Sequence, residues 1–143
     1  MSGPVIIQRR RMSRFVMAGD VRQEEFDWGH VGWRCIPPLT GSKQLAVIDV
    51  ALDPGFGHDF HKHVDQEEMI IVLAGEIEQW IEQDRHVLKV GDSVYIDRNV
   101  VHASFNIGTD TARLQVVLGP AVGDGGYELV DVASEEPWSS VRR

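Results

Sequence analysis

Between residues 44 and 118 the chain is a series of short apolar runs broken by turn residues. Residues 44–52 (QLAVIDVAL) and 68–73 are apolar at odd and even positions alike, as strands covered on both faces are. Residues 76–82 alternate imperfectly, with Ile77, Gln79 and Ile81 on one face and Glu76, Glu78, Trp80 and Glu82 on the other. Residues 86–90, 93–96, 100–106 and 112–118 complete the series. Turns at Gly91-Asp92, Asp97-Arg98-Asn99 and Gly108-Thr109-Asp110 separate them. Helical periodicity is almost absent, so the pattern predicts an all-β sandwich or barrel, the class that includes the jelly roll. Upstream, residues 1–30 predict an early strand and a loop or helical turn. Residues 33–36 predict a strand that Pro37-Pro38 stops, since neither proline can donate to a ladder. Downstream, a Gly-rich loop over 119–126 leads to a last strand over 127–132. The tail from Ser134 predicts one helical turn, with Trp138 docked on the barrel. Residues 1–143 read as one domain with its core at about 44–119.

The candidate chemistry lies in residues 55–75, GFGHDFHKHVDQEEMIIVLAG. On a strand, residues two apart share a face, so His61 and His63 present two imidazoles side by side. A short turn through Val64, Asp65 and Gln66 brings Glu67 or Glu68 back on a neighbouring strand. Two imidazoles and a carboxylate converging on one point make a metal site with open positions for substrate. A further histidine, His102, begins another strand-like run.

These residues resemble the two signature motifs of the cupin superfamily. The first reads Gly55, five residues, His61-x-His63, four residues, Glu68, six residues, Gly75; the second reads Gly91, a turn, His102 and Asn106. The resemblance selects Glu68 over Glu67 and implies a ligand set of His61, His63, Glu68 and His102. It also implies a double-stranded β-helix, a jelly-roll barrel, here with an N-terminal strand extension and a short C-terminal tail. Asp97 and Asn99 stand where the family pattern has Pro and Gly; Asn tolerates the left-handed conformation, so the turn before His102 should survive. Four inward ligands put Ile70, Val72, Ser104 and Asn106 inward too, which predicts a mostly apolar pocket. Gln79 and Gln115 are expected to reach a substrate from their strands. His58, at odd spacing from His61, is expected to face away from the ligands, and no partner is evident for His30 or His86.

The implied cofactor is one divalent transition metal: iron, manganese, nickel, cobalt, zinc or copper. The implied activities are those of small-molecule dioxygenases, isomerases, decarboxylases and lyases. The leading expectation is a mononuclear iron or manganese dioxygenase acting on a small oxygenated substrate, with Glu68 as ligand and proton acceptor. A redox-neutral isomerase or lyase and a non-catalytic binding protein are the alternatives. Ile70 stands where some cupin lyases carry Tyr, which counts against that subclass.

A net charge of −8 over 143 residues argues against nucleic acid as a partner. No apolar run approaches membrane length, so no membrane partner is expected. The single Cys35 precludes an internal disulfide and fits a cytoplasmic setting. Arg9, Arg10, Arg11 and Arg14 form the basic cluster, read as a solvated terminal segment. Met69, Ile71 and Leu73 lie on the parity opposite Glu68. Their apolar face predicts cover by the N-terminal strand or by a second copy, hence a homodimer.

Overall fold

Strand formation follows the apolar series. In the computed structural model, which describes residues 13–142, the strands are β1 (Arg22–Phe26), β2 (Gly29–Cys35), β3 (Ala46–Leu52), β4 (Gly57–Lys62), β5 (Glu67–Ala74), β6 (Glu76–Ile81), β7 (Asp84–Lys89), β8 (Ser93–Ile96), β9 (His102–Asn106), β10 (Ala112–Gly119) and β11 (Val130–Asp131). Two single-turn α-helices, α1 (Pro37–Thr40) and α2 (Trp138–Val141), and a 3₁₀ turn over Ala18–Asp20 accompany them. Arg9, Arg10 and Arg11 lie outside the described residues, and Arg14 donates to the Leu39 carbonyl at 2.7 Å.

Two antiparallel sheets face each other. The first has the order β1-β2-β3-β10-β5-β8 and the second β11-β4-β9-β6-β7, so the chain crosses repeatedly between layers, as a double-stranded β-helix does. Inward positions of both sheets build the main core, which includes Ile48, Leu52, Ile70, Val72, Ile77, Leu114 and Leu118. At Gly29 (φ 147°) a Cβ would run into the Ala51 carbonyl, so only glycine lets β2 lie this close to β3.

Three elements differ from the sequence expectation. The strand expected over 33–36 starts at Gly29 and forms a hairpin with β1. Pro37 and Pro38 do more than stop it: they occupy the first turn of α1, where a missing N–H costs nothing. The strand expected over 127–132 shrinks to two residues, because the Glu128 backbone bonds to Gln66 and His63 instead of a ladder. Asn99 adopts the left-handed conformation expected of that turn, with φ 64°.

The outer face of the second sheet carries its own apolar cluster of Phe60, Trp80, Val101, Ala103 and Val132. Trp138 and Val141 of α2 pack onto it, as the docked tail expected from the sequence. Charge reinforces this closure. Glu78 accepts from the Trp80 indole at 2.5 Å and from Arg142 Nε at 2.7 Å, and the Arg142 guanidinium lies 3.7 Å over the Phe105 ring. Burial pushes the Glu78 carboxyl up, but the Arg142 and Trp80 hydrogen bonds outweigh it and hold it below the ordinary 4.5. A depressed folded-state pKa contributes stability above the unfolded value, and that stability is lost as pH falls through the folded value. Arg142→Ala should therefore cost about 1–3 kcal/mol at neutral pH, lowering the melting temperature by several degrees. The deficit should shrink below pH 4.5, as measured by thermal melts from neutral to acid pH; an equal deficit throughout would refute the electrostatic account.

Candidate metal centre

The two motifs meet where β4 lies against β9. His61 pairs with His102 in register, and the Asn99 amide donates to the His63 carbonyl at 2.8 Å, tying the turn before β9 to the end of β4. Glu68 enters from β5 in the facing sheet, on the inward parity with Ile70 and Val72. All four side chains are buried, none more than 6% exposed. The ligand nitrogens of His61, His63 and His102 lie within 4.8 Å of one another. Glu68 Oε1 is 2.8 Å from His102 Nε2 and 3.2 Å from His63 Nε2.

Each imidazole is oriented through its other nitrogen. His61 Nδ1 is 2.6 Å from the Asp59 carbonyl, His63 Nδ1 is 2.8 Å from that of Glu128, and His102 Nδ1 is 3.0 Å from that of Val100. A carbonyl only accepts, so each Nδ1 carries a proton, and in the neutral ring each Nε2 presents a lone pair. This is the arrangement in which a histidine binds metal. The donor set passes a second test. His63 Nε2, His102 Nε2 and Glu68 Oε1 are buried yet make no well-aligned hydrogen bond. Buried polar atoms left so are rare, and here they converge on one point. Metal ligands held about 2.0–2.2 Å from an ion lie roughly 3 Å apart, which a small contraction of this cluster achieves. The residues fit a divalent transition metal.

Electrostatics agree. Burial pushes the Glu68 carboxyl up, but His102 and His63 outweigh it and hold it well below the usual carboxylate range. Burial, with His58 and His102 adding to it, pushes His61 well below the ordinary histidine value. For His102 burial acts downward, yet the Glu68 carboxylate prevails and raises it. The site holds a fixed negative charge and favours a cation against it.

A cavity of about 210 Å³ opens onto His61 and Glu68. Its walls are Phe26, Trp28, His58, Trp33 and Tyr127, with Val31, Ile48, Val50, Val116 and Leu129 between them. Phe26 stacks on Trp28 at 5.1 Å, Trp28 on His58 at 5.7 Å, and His58 on His61 at 3.8 Å. Trp33 meets Tyr127 edge-on, and Tyr127 lies 5.1 Å from the His63 ring. Burial lowers His58 to about 4, so it is a neutral ring at pH 7. Burial, with Glu68 behind it, raises the Tyr127 phenol, which stays protonated.

His58 is a correction to the sequence expectation. Three residues of β4 span two of β9 between the pairs His58–Ser104 and His61–His102. The extra residue is a β-bulge, and it returns His58 to the same face as His61. The expected pocket lining is corrected too. Ile70 and Val72 point inward but are buried within the core, at 3% and 0% exposure. Ser104 and Gln79 also point inward, but they bond to each other at 2.6 Å, and Gln79 lines a different cavity with Asp84 and His86. Gln115 is on the outer parity of β10, where it donates to Asp49 and to the Ile48 carbonyl. Asn106 secures backbone, donating to the Leu52 and Asp110 carbonyls. His30 is 4.0 Å from Glu25, and His86 is exposed. Phe26, Trp28, Trp33 and Tyr127 were not among the expected lining. The aromatic, Gly-punctuated stretch 28–33 was the signal that marked two of them.

The centre should bind one divalent metal ion per chain, measured by elemental analysis. A metal at about a hundredfold over its dissociation constant stabilises by roughly 2.7 kcal/mol. Chelation, or His61→Ala with His63→Ala, should remove the ion and lower the melting temperature by several degrees. Unchanged metal content in the double variant would refute the assignment.

Residues 48–118 match the family model described as Cupin domain. Protein SchB of Streptomyces halstedii is 29% identical over 110 residues, spanning 77% of this chain and 80% of that protein. Among solved structures, the polyketide cyclase RemF from Streptomyces resistomycificus superposes with a TM-score of 0.68 at 19% identity, over 92% of this chain and 94% of that one. An RmlC-like cupin from Shewanella frigidimarina gives 0.66 at 20% identity, over 80% of this chain and 97% of that one. Sequence motif, strand order and superposition agree, and the chain is a small member of the cupin superfamily.

Proposed function

We propose that this cupin is a metal-dependent enzyme acting on a flat, conjugated molecule that carries neighbouring carbonyl or hydroxyl oxygens. The observation that supports this most is the cleft itself. Its lining is aromatic and aliphatic, and among the described residues its only ionised group is Glu68, with no Lys or Arg in it. A small dianion would find no counter-charge there apart from the metal. A planar unsaturated ring system would stack against Trp28, His58, Trp33 or Tyr127, each such contact contributing about 0.5–1.5 kcal/mol beyond area.

The reaction we infer is redox-neutral chemistry through an enolate, such as ring closure or isomerisation. A metal held by His61, His63, His102 and Glu68 would supply Lewis acidity to a carbonyl oxygen. In this reading the Glu68 carboxylate, ionised at neutral pH, accepts a proton from the carbon flanked by two carbonyls. The Tyr127 phenol, kept protonated, donates one in this reading. The apolar walls exclude water and so protect the enolate. RemF, whose fold this chain shares over almost its whole length, is a polyketide cyclase, and that chemistry suits an aromatic cleft of this kind. The dioxygenase expected from the sequence uses the same ligand set and is the second reading.

Oxygen separates the two. With a poly-β-carbonyl or polyphenolic test compound, the zinc-loaded protein should turn over under nitrogen as fast as in air. Turnover that requires oxygen and a redox-active metal would promote the dioxygenase. Glu68→Gln should lower kcat by about 10²–10⁴ if it still binds metal. Trp28→Ala should instead raise KM several-fold and spare kcat.

A further inference from the structure

We propose that Gln66 is a positioning residue for the metal centre, pinning the loop over residues 120–128 so that the loop can hold His63 and wall the cleft. The inference rests on the metal-centre reading and concerns a residue that touches neither metal nor cleft. Gln66 stands between β4 and β5, before the Glu67-Glu68 pair, and is only 1% exposed. Its amide is fully engaged. Nε2 donates to the Pro120 carbonyl at 2.8 Å and to the Gly126 carbonyl at 2.9 Å, while Oε1 accepts from the Glu128 amide at 3.4 Å. Two carbonyl neighbours fix which end of the amide is nitrogen. One side chain thus binds the loop at its entrance, its turn and its exit.

The same loop supplies two parts of the site. The Glu128 carbonyl accepts from His63 Nδ1 at 2.8 Å, and the adjacent Tyr127 ring packs 5.1 Å from His63. The loop's own bonds are few: a bridge between Val122 and Gly126, a Gly126 to Gly123 bond at 3.4 Å, and an Ala121 to Lys43 bond at 3.1 Å. Gly126 sits at φ 81° against Pro37, where a Cβ would overlap the proline ring, so the loop closes tightly at the carbonyl that Gln66 grips. If the amide is removed, two buried carbonyls lose their donor. The loop must then shift to find water, taking the Glu128 carbonyl from His63. An imidazole without that acceptor is no longer held in the ligating tautomer and orientation.

The test compares the full chain with Gln66→Met, which keeps volume without hydrogen bonds, and Gln66→Glu, which keeps an acceptor but loses both donations. Ile77→Val, a core change away from the loop, serves as the stability control. Zn²⁺ affinity is measured by competition with a chromophoric chelator, and the ligand field by the visible absorption of the Co²⁺ form. Both Gln66 variants should bind Zn²⁺ about 10–100-fold more weakly and show an altered Co²⁺ spectrum, whereas Ile77→Val should keep both within twofold of wild type. Wild-type affinity and spectrum in the Gln66 variants would overturn the proposal, and so would an equal loss in Ile77→Val. Failure of the wild-type chain to bind Zn²⁺ or Co²⁺ would instead defeat the metal-centre reading itself. If the variants do not fold, the wild-type chain still decides the matter, because coupling between sites is reciprocal. Zn²⁺ should then slow amide exchange at Glu128 and its neighbours, and unchanged exchange across 120–128 would overturn the proposal.

Discussion

Three backbone carbonyls determine what the histidines of this protein can do. Each accepts the Nδ1 proton of one imidazole, so three Nε2 lone pairs are left to converge beside Glu68. The carbonyls come from unrelated places: Asp59 in the bulge of β4, Val100 in the turn before β9, and Glu128 in the loop before β11. No local segment assembles the site. It exists only when both sheets and the Gly-rich loop are in position, which couples the metal centre to the completed fold. The Asn99 to His63 bond closes the same circuit through backbone alone.

Burial makes the carboxylate of the cluster dependent on its neighbours. A buried carboxylate without a partner is costly, and Glu68 is 6% exposed with imidazoles as its close partners among the described residues. Protonation of His102 relieves part of that cost, as its raised pKa reflects. It cannot relieve all of it, since His61, stacked on neutral His58 and buried, resists charge. A divalent ion meets the carboxylate and the three lone pairs together. The acidic balance of the chain as a whole is irrelevant at this depth.

The clustering of the motif side chains was legible in the sequence because β-strand periodicity and motif spacing act on residues close together in the chain. His61, His63, Glu68 and His102 needed only parity and the cupin pattern. The inward set Ile70, Val72, Ser104 and Asn106 followed from the same parity. What parity could not supply was the destination of an inward side chain. Ile70 and Val72 feed the core, and Ser104 is satisfied by Gln79. Gln115 finds Asp49 on the outside. His58 was misplaced for a sharper reason: a single inserted residue reverses parity, and nothing in GFGHDFHKH marks where the bulge falls. Gln66 was read as a turn residue, because its partners lie 54 to 62 positions away.

Apart from His58, the aromatic walls of the cleft come from a different part of the chain than the His61, His63, His102 and Glu68 cluster. Phe26, Trp28 and Trp33 belong to the β1–β2 hairpin and its turn, Tyr127 and Leu129 to the segment after the Gly-rich loop. Both lie outside residues 48–118, the stretch that matches the family model. The barrel and its motifs therefore account for the cluster of His61, His63, His102 and Glu68, and the flanking segments for most of the aromatic surface beside it. Ligand residues must keep both distance and tautomer, so they tolerate little change. A wall residue need only keep a face turned inward, so the hairpin can exchange one aromatic for another without disturbing the Nδ1 bonds. The hairpin and the segment after the Gly-rich loop therefore set much of the shape of the cleft. Phe26 stacks on Trp28, Trp28 on His58 and His58 on His61, so the aromatic surface of the hairpin continues through β4 to the histidine cluster.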